Sequence, residues 1–356
     1  MTDRTDNGRR SHAIVRIMKI VIPAAITVGL CYVLFTGVDF NTMIGVIRRD
    51  CNFWWIGLAL LVSILSHVVR AMRWKIQLNA LRIYPPLFWI ILSIFGTYAV
   101  NLVFPRLGEI WRTGYIATRQ KAPFTTVFGS MVADRLADTV TVLTLSLITF
   151  LAAAPALIAF LTRYPEVYQG ILDIVASPWI WAIVIAIAIS LWWFLAMRTT
   201  NSIVLKIRRA LQELWQGFAV IGRMNGRMRW LLLTLALWGC YFFQLYVAFY
   251  AFPFTTDIIQ NHGIVAVLVC FCLSSIAMGI PSNGGIGPWQ IAVIFALTVY
   301  APAAMTATAA ETFRLNATAF ANLVLGMQTL LLIVLGLFTF AAIALHNRTT
   351  KKKSVI

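Results

Sequence analysis

Apolar segments of membrane length recur along the chain, and they constrain its fold more than any other feature. Hydrophobic residues make up 60% of the 356 residues, whereas charged residues make up only 12%. A helix of about 20 residues crosses the core of a bilayer. The runs that reach about this length are 17–37, 53–72, 123–152, 178–197, 229–252 and 315–345. The sequence therefore predicts an all-α polytopic membrane protein with about six full transmembrane helices, folded as a single membrane domain over residues 1–356.

Two further apolar runs, 86–104 and 263–302, are interrupted by polar and turn-forming residues. The interruption in and after the first run covers residues 101–112 and is called the first break. The second covers residues 280–287 and is called the second break. Both contain a Pro-x-x-Gly sequence, at Pro105 to Gly108 and at Pro281 to Gly284. Because non-helical backbone at membrane depth is tolerated only beside protein or a wet cavity, we expect both breaks to face each other inside the protein.

The distribution of basic residues predicts the topology. The formal net charge is +17, and the basic residues stand beside apolar spans, so the predicted partners are anionic lipid headgroups rather than nucleic acid. Cytoplasmic segments are enriched in Lys and Arg. The basic segments are the N-terminus, 70–85, 198–229 and the C-terminal tail, and the neutral or slightly acidic ones are 38–52, 154–177 and 253–262. Both termini are therefore predicted to be cytoplasmic.

With this topology, 86–121 and 263–302 each leave the membrane on the face from which they enter it. They are therefore predicted to be two re-entrant hairpins of opposite orientation. Each half of the chain then has two spans, one hairpin and one further span. The sequence thus predicts an inverted repeat, with one half at 1–153 and the other at 171–345, an architecture known from secondary transporters. The linker 198–229 is predicted to be a basic amphipathic helix on the cytoplasmic surface, or alternatively a solvated basic connector.

Charged and amide side chains in the apolar runs are the candidate binding residues, because such groups are expensive in a membrane unless they are paired or face a cavity. Arginine binds phosphate oxygens bidentately through its planar guanidinium. Glu109, Asp138 and Glu311 each have an arginine three residues away, so internal ion pairs are the alternative. The predicted substrate-binding residues are Asn101, Arg106, Glu109, Arg112, Asp134, Arg135, Asp138, Asn283, Gly284, Gly285, Gln290 and Arg314, with Arg70 and Arg73 in second rank.

Histidine and cysteine form no ligand set in the sequence. The four histidines are scattered, and Cys270 and Cys272 lie within one apolar run, where packing is the more common role. We therefore predict no catalytic residue, no cofactor and no metal site.

The order of the motifs resembles the flippase-like transmembrane domain family, typified by the membrane region of lysylphosphatidylglycerol synthases. The matching features are the Arg-x-x-Arg of Arg70 and Arg73, the Asn-x3-Pro-x2-Gly-Glu-x2-Arg of 101–112, the Asp-Arg of Asp134 and Arg135, the Pro-x2-Gly-Gly-x-Gly of 281–287, and Arg314. The resemblance implies a multi-pass protein of a bacterial or archaeal plasma membrane, linked to translocation of phospholipids or polyprenyl-phosphate-linked lipids.

The chain departs from this family at two places. Family members often carry an acidic residue shortly after the Gly-Gly-x-Gly turn, where this chain has Gln290. The soluble transferase domain of the full-length synthases has no counterpart in the sequence, so we do not expect aminoacyl transfer.

Three functions fit this pattern. The first is translocation of a phosphate-bearing lipid, with an arginine-rich headgroup site between the two hairpins. The second is an integral-membrane transferase of a glycolipid or cell-envelope pathway, with Glu109 or Asp134 as general base. The third is an accessory subunit that binds enzymes of such a pathway. The sequence favours translocation, because it contains neither a metal-ligand cluster nor a large polar loop for a donor substrate.

Overall fold

The computed structural model describes residues 40–104, 106–196, 222, 224–280, 282–302 and 305–353. The predicted span 17–37, most of the linker 198–229, and both Pro105 and Pro281 lie outside these ranges. Within the ranges the chain is helical and contains no strand.

The described residues form twelve helices. They are α1 (Phe40–Asp50), α2 (Phe53–Ala80), α3 (Leu87–Val103), α4 (Leu107–Gln120), α5 (Phe124–Ala152), α6 (Ala154–Arg163), α7 (Pro165–Ala176), α8 (Pro178–Ala196), α9 (Arg227–Phe249), α10 (Pro253–Ala277), α11 (Pro288–Val299) and α12 (Ala307–Lys353). Five of them, α2, α5, α9, α10 and α12, are long and apolar enough to cross a membrane. The prediction of an all-α polytopic membrane protein is confirmed.

Helix boundaries follow local sequence signals. Asn52 caps α2, because its Oδ1 accepts a hydrogen bond from the backbone N–H of Trp54 at 3.1 Å. Pro253 and Pro288 are the first residues of α10 and α11, where a missing N–H breaks no helical hydrogen bond. Gly263 interrupts α10 with a φ of +67°, so this helix is kinked.

The four segments that were predicted to connect the spans are largely helical, which corrects the sequence interpretation. Segment 38–52 contains α1, 154–177 contains α6 and α7, and most of 70–85 and all of 253–262 belong to longer helices. The 70–85 segment was expected to be a basic cytoplasmic loop, yet α2 continues to Ala80, and Arg70 and Arg73 within it are only 3% and 0% exposed. The 253–262 segment, expected to be an external loop, is the first part of α10. The 70–85 loop was predicted wrongly because the number of basic residues in a segment does not distinguish an arginine in water from an arginine paired with a carboxylate inside the protein.

Each break joins two helices that pack against each other, α3 with α4 and α10 with α11. The helices α3, with 17 residues, and α11, with 12, are shorter than a typical full span. These lengths fit hairpin limbs, whereas α10, with 25 residues and a kink at Gly263, is long enough to cross a membrane. Entry and exit on the same membrane face remain a prediction.

Helix packing is repeated between the two halves of the chain. In the first half α2 packs on α3, α3 on α4, and α4 on α5; in the second, α9 packs on α10, α10 on α11, and α11 on α12. Between the halves α3 packs on α12, α5 packs on α10, and α2 packs on α9. Exchanging α2–α5 with α9–α12 maps these contacts onto one another, as two structurally similar halves would require.

Candidate functional site

The two breaks are in direct contact, although they are far apart in the sequence. Arg106 Nη2 donates a hydrogen bond to the carbonyl oxygen of Gly279, next to the second break, at 2.8 Å. Asn283 Nδ2 donates to the carbonyl oxygen of Leu102 at 3.4 Å. Gly284 has a φ of +63°, and a Cβ on it would lie 2.6 Å from Leu102 Cδ2. The predicted meeting of the breaks is therefore present, and their depth in the bilayer remains a prediction.

Asn101 stabilises the conformation of the first break through two hydrogen bonds. Its Oδ1 accepts a hydrogen bond from the backbone N–H of Gly108 at 2.8 Å, and its Nδ2 donates to Glu109 Oε2 at 3.3 Å. A Cβ at Gly108 would overlap the carbonyl oxygen of Thr97, so only glycine fits where α4 crosses α3 so closely. Arg106 precedes α4 in a left-handed conformation, with a φ of +67°.

A buried ion network connects α2 to α5. Arg73 Nη2 lies 2.7 Å from Asp134 Oδ1 and 2.8 Å from Asp138 Oδ1. Arg70 Nη1 lies 3.1 Å from Asp138 Oδ2 and 3.5 Å from Asp134 Oδ2, and Arg70 Nη2 donates to Tyr241 Oη at 2.9 Å. Two guanidinium groups thus balance two carboxylates. Arg73 and Asp134 therefore have a structural role inside the protein, whereas Arg70 also reaches the cavity described below.

The positive charges of Arg135 and Arg112 are neutralised less completely by nearby carboxylates. Arg135 Nη1 lies 3.8 Å from Asp138 Oδ2. Arg112 is 0% exposed and its guanidinium carbon lies 4.4 Å from the ring centre of Trp74. Within the described residues Arg112 forms no ion pair, and its Nε and Nη2 atoms have no hydrogen-bond partner.

Only one of the three ion pairs suggested by sequence spacing is formed. Arg135 pairs with Asp138. In the part of the chain that the structure describes, Glu109 does not pair with Arg112, nor Glu311 with Arg314. Internal ion pairing therefore explains only some of the charged side chains.

A cavity of about 430 Å³ opens between the two breaks. Both halves of the chain line it, through α2–α5 from the first half and α9–α12 from the second. Its charged lining consists of Arg70, Arg106, Glu109, Arg135 and Asp138. Its apolar lining includes Leu245, Phe271, Met278, Leu325 and Leu332. The cavity thus has both charged and apolar walls, and a lipid molecule likewise combines a charged headgroup with apolar chains.

The charged groups in and around this cavity carry an excess of positive charge. The arginines are Arg70, Arg73, Arg106, Arg112 and Arg135, and the carboxylates are Glu109, Asp134 and Asp138. Charges interact strongly in a poorly solvated interior, and a buried charge without a counter-ion is costly. The arrangement therefore favours an anionic ligand.

The structure brings many of the predicted site residues to one place. Asn101, Arg106, Glu109, Arg135, Asp138, Gly284 and Gly285 line the cavity together with second-rank Arg70. Arg73, Arg112 and Asp134 are fully buried nearby and do not line it.

Asn283, Gln290 and Arg314 are also outside the cavity lining. Asn283 connects the two breaks, as described above. Gln290 Oε1 accepts a hydrogen bond from the backbone N–H of Gly287 at 2.7 Å, and its Nε2 donates to Asn322 Oδ1. This residue therefore caps α11 and links it to α12. Arg314 is exposed on α12.

Sequence reasoning missed several polar residues that line the cavity. Among them are Ser63, His67, Tyr98, Trp238, Tyr241, Gln244, Ser274, Ser275, Ser282 and Gln328. Ser63, His67 and Arg70 stand four and three residues apart, on one face of α2. That spacing was a usable signal, because a polar residue inside a membrane span is a functional candidate by default.

These features define a polytopic helical membrane protein in which two helix breaks enclose a positively charged, partly apolar cavity. The profile of the family described as Lysylphosphatidylglycerol synthase TM region matches residues 20–326, and the chain belongs to that family. The resemblance predicted from the motifs is thereby confirmed. Family membership indicates a role in lipid or envelope pathways. Comparison with curated proteins and with solved structures found no match.

Proposed function

We propose that the protein binds a phosphate-bearing lipid in the cavity between the breaks and translocates it across the plasma membrane of a prokaryote. The observation that carries this proposal is the cavity itself, which both halves line and which combines arginines with an apolar wall. A lipid needs both surfaces at once, a cationic one for its phosphate and an apolar one for its acyl or prenyl chain.

Arg106 and Arg135 are the proposed phosphate-binding residues. Both line the cavity, and neither belongs to the balanced network of Arg70, Arg73, Asp134 and Asp138, apart from the long contact of Arg135 with Asp138 at 3.8 Å. Guanidinium groups bind phosphate oxygens with charge-assisted hydrogen bonds. Arg70, held by Asp138 and Tyr241, adds a fixed positive charge beside them.

The repeated packing of α2–α5 and α9–α12 supports alternating access. In an inverted repeat the two halves are related by a pseudo-two-fold axis in the membrane plane, and rocking one half against the other opens a central site to either face. The hydrogen bonds from Arg106 to Gly279 and from Asn283 to Leu102 join the two breaks on one side of the cavity. We propose that these bonds break when the cavity opens on that side.

A lipid-flipping assay in proteoliposomes tests this function. The substrates are fluorescent phosphatidylglycerol and a fluorescent polyprenyl phosphate, and the variant is Arg106→Gln/Arg135→Gln. We expect it to slow protein-dependent flipping at least about tenfold, because each charge-assisted hydrogen bond contributes roughly 1.5–3 kcal/mol. The control Arg48→Gln/Arg49→Gln removes the same charge from the exposed end of α1, and its rate should stay near that of the wild type. Equal rates for the cavity variant and the wild type with both lipids would refute the proposal.

A further inference from the structure

Arg112 is a buried cation that has no counter-ion within the described part of the chain. Its side chain is 0% exposed and stacks on Trp74, and its Nε and Nη2 atoms have no hydrogen-bond partner. Both atoms are enclosed by protein and do not reach the cavity, so a ligand bound there does not contact them. Because buried polar atoms in native proteins nearly always have a partner, we expect Arg112 to gain one in another conformation.

Glu109 is the carboxylate best placed to become that partner. It precedes Arg112 by three residues in α4, so the two side chains are neighbours on one face of the helix. The negative charge of Glu109 already acts on Arg112 in the structure. Among the described residues Glu109 forms no ion pair, and its Oε2 accepts a long hydrogen bond from Asn101 Nδ2 at 3.3 Å. The other nearby carboxylate, Asp134, is occupied by Arg73 at 2.7 Å.

The position of Glu109 depends on the conformation of the first break. Asn101 Oδ1 accepts the hydrogen bond from the backbone N–H of Gly108 at 2.8 Å, and this contact directs Nδ2 of the same amide toward Glu109. Arg106, in the same break, has a φ of +67°, which is costly for a residue with a side chain. Its hydrogen bond to the carbonyl oxygen of Gly279 joins the two breaks. One short segment therefore carries both the contact between the breaks and the bond that holds Glu109.

We propose that Glu109 and Arg112 form an ion pair when the two breaks separate, and that this pair stabilises the open conformation of the cavity. Loss of the bond from Arg106 to Gly279 lets the first break relax, and the Glu109 carboxylate then turns from Asn101 to Arg112. A charge that is unpaired while the breaks are in contact becomes paired when they separate, so the pair favours opening. This inference rests on the proposed function, since it takes opening of the cavity to be a step of translocation.

A double-mutant cycle on the flipping rate tests this switch. The full-length variants Glu109→Gln, Arg112→Met and Glu109→Gln/Arg112→Met are compared with the wild type in proteoliposomes that contain the two fluorescent lipids named above. We expect Glu109→Gln to slow flipping about tenfold, because Arg112 then stays unpaired in both conformations and a hydrogen bond to a charged group is worth at least this factor.

Arg112→Met should slow flipping by a similar factor, because it removes both the penalty of the closed conformation and the pair of the open one. The double variant should be no slower than Arg112→Met, because one pair is lost only once. Slowing by the product of the two single effects would show that the residues act independently. A return of the double variant to the wild-type rate would show that only net charge matters, because this variant removes one charge of each sign. Either result would overturn the inference.

Thermal unfolding of the same variants provides a readout that a purely structural pair would change. The pair is not formed while the breaks are in contact, so the shifts in melting temperature of the two single variants should nearly add in the double variant. Non-additive shifts in melting temperature that match the non-additive rates would mean that the pair exists before the breaks separate. That result would contradict the switch. The melting curves also show that each variant is folded.

Glu311 and Arg314 provide the matched control. They have the same spacing in α12, are exposed, and form no ion pair with each other in the structure. Glu311→Gln, Arg314→Met and the double variant should all flip lipid at nearly the wild-type rate. Coupling as strong as that between Glu109 and Arg112 would show that the cycle does not report on the first break, and the assignment would fail.

The outcomes separate this inference from the proposed function. Flipping that is slowed by Arg106→Gln/Arg135→Gln but shows independent effects of Glu109→Gln and Arg112→Met would overturn the switch and leave translocation in place. No protein-dependent flipping of either lipid would overturn both.

Discussion

Arg73 and Arg112 are both fully buried arginines, and their surroundings predict opposite effects of mutation. Arg73 Nη2 contacts Asp134 and Asp138 at 2.7 and 2.8 Å. Arg112 has no carboxylate partner among the described residues and stacks on Trp74. A buried carboxylate that loses its arginine becomes an uncompensated charge, whereas a buried arginine without a partner is itself one.

Replacing Arg73 should therefore destabilise the protein strongly. We expect Arg73→Met to lower the free energy of unfolding by about 3–5 kcal/mol, because it leaves two aspartates with Arg70 as their main partner. Thermal unfolding of the purified protein in detergent measures the effect. A change below about 1 kcal/mol would show that the network is not essential for the fold.

Replacing Arg112 should have the opposite sign. Arg112→Met removes an unpaired buried charge, whose desolvation penalty of several kcal/mol exceeds the roughly 2 kcal/mol of a buried cation–π contact. We expect the free energy of unfolding to rise by about 1–3 kcal/mol in the same measurement. A loss as large as that of Arg73→Met would mean that Arg112 has an ion-pair partner.

The sequence pointed to charged side chains of which some line the cavity, such as Arg106 and Arg135, and others do not, such as Asp134. Arg106, Arg135 and Glu109 stand out because ionisable residues are rare beside apolar runs. Gln244 and Gln328 do not stand out, because a neutral polar residue in a long span reveals neither its orientation nor its partners. The role of Gln290 as a helix cap depends on contacts with Gly287 and Asn322, which spacing alone does not show.

Among the helices, the crossing of α3 and α4 depends on a single glycine. Gly108→Ala places a methyl group against the carbonyl oxygen of Thr97, and a backbone atom cannot move aside as a flexible side chain can. We expect a loss of about 1–3 kcal/mol in unfolding free energy, as for other overpacked sites, together with weaker lipid binding.

Gly114 in the same helix is the matched control. A Cβ there would lie 4.0 Å from its nearest neighbour, an atom of Phe124. Gly114→Ala should raise the unfolding free energy by about 0.5–1 kcal/mol through helix propensity. Equal effects of the two substitutions would show that the close crossing of α3 and α4 does not constrain the first break.

Helix lengths and ends were only partly predictable from the sequence. The start of α2 after Asn52 follows from a capping signal, but its end at Ala80 does not, because the pairing of Arg70 and Arg73 with α5 overrides the hydropathy change after residue 72. Segment 253–262 has a different explanation. Pro253 begins a helix there, and Gly263 kinks this helix without ending it.

For the whole molecule, the predicted inverted repeat can be tested through the topology of its hairpins. If α3 and α4 form a re-entrant hairpin, then Arg82 before it and Lys121 after it lie on the same face of the membrane. Single cysteines at these exposed positions, in a background without native cysteine, should both react with an impermeant maleimide from the cytoplasmic side only.

The second hairpin supplies the reciprocal test. Cysteines at His262 and Thr308, which flank α11 and its break, should both react from the external side only. Reaction of Arg82→Cys and Lys121→Cys from opposite faces would make α3 a full span and would contradict the repeat.

Occupancy of the cavity can be observed directly by electron cryomicroscopy of the full-length protein in nanodiscs that contain phosphatidylglycerol. We expect headgroup density between Arg106 and Arg135, with the phosphate within hydrogen-bond distance of both guanidinium groups and a chain along Phe271 and Leu325. A map that resolves annular lipids around the helices but shows an empty or water-filled cavity would contradict it.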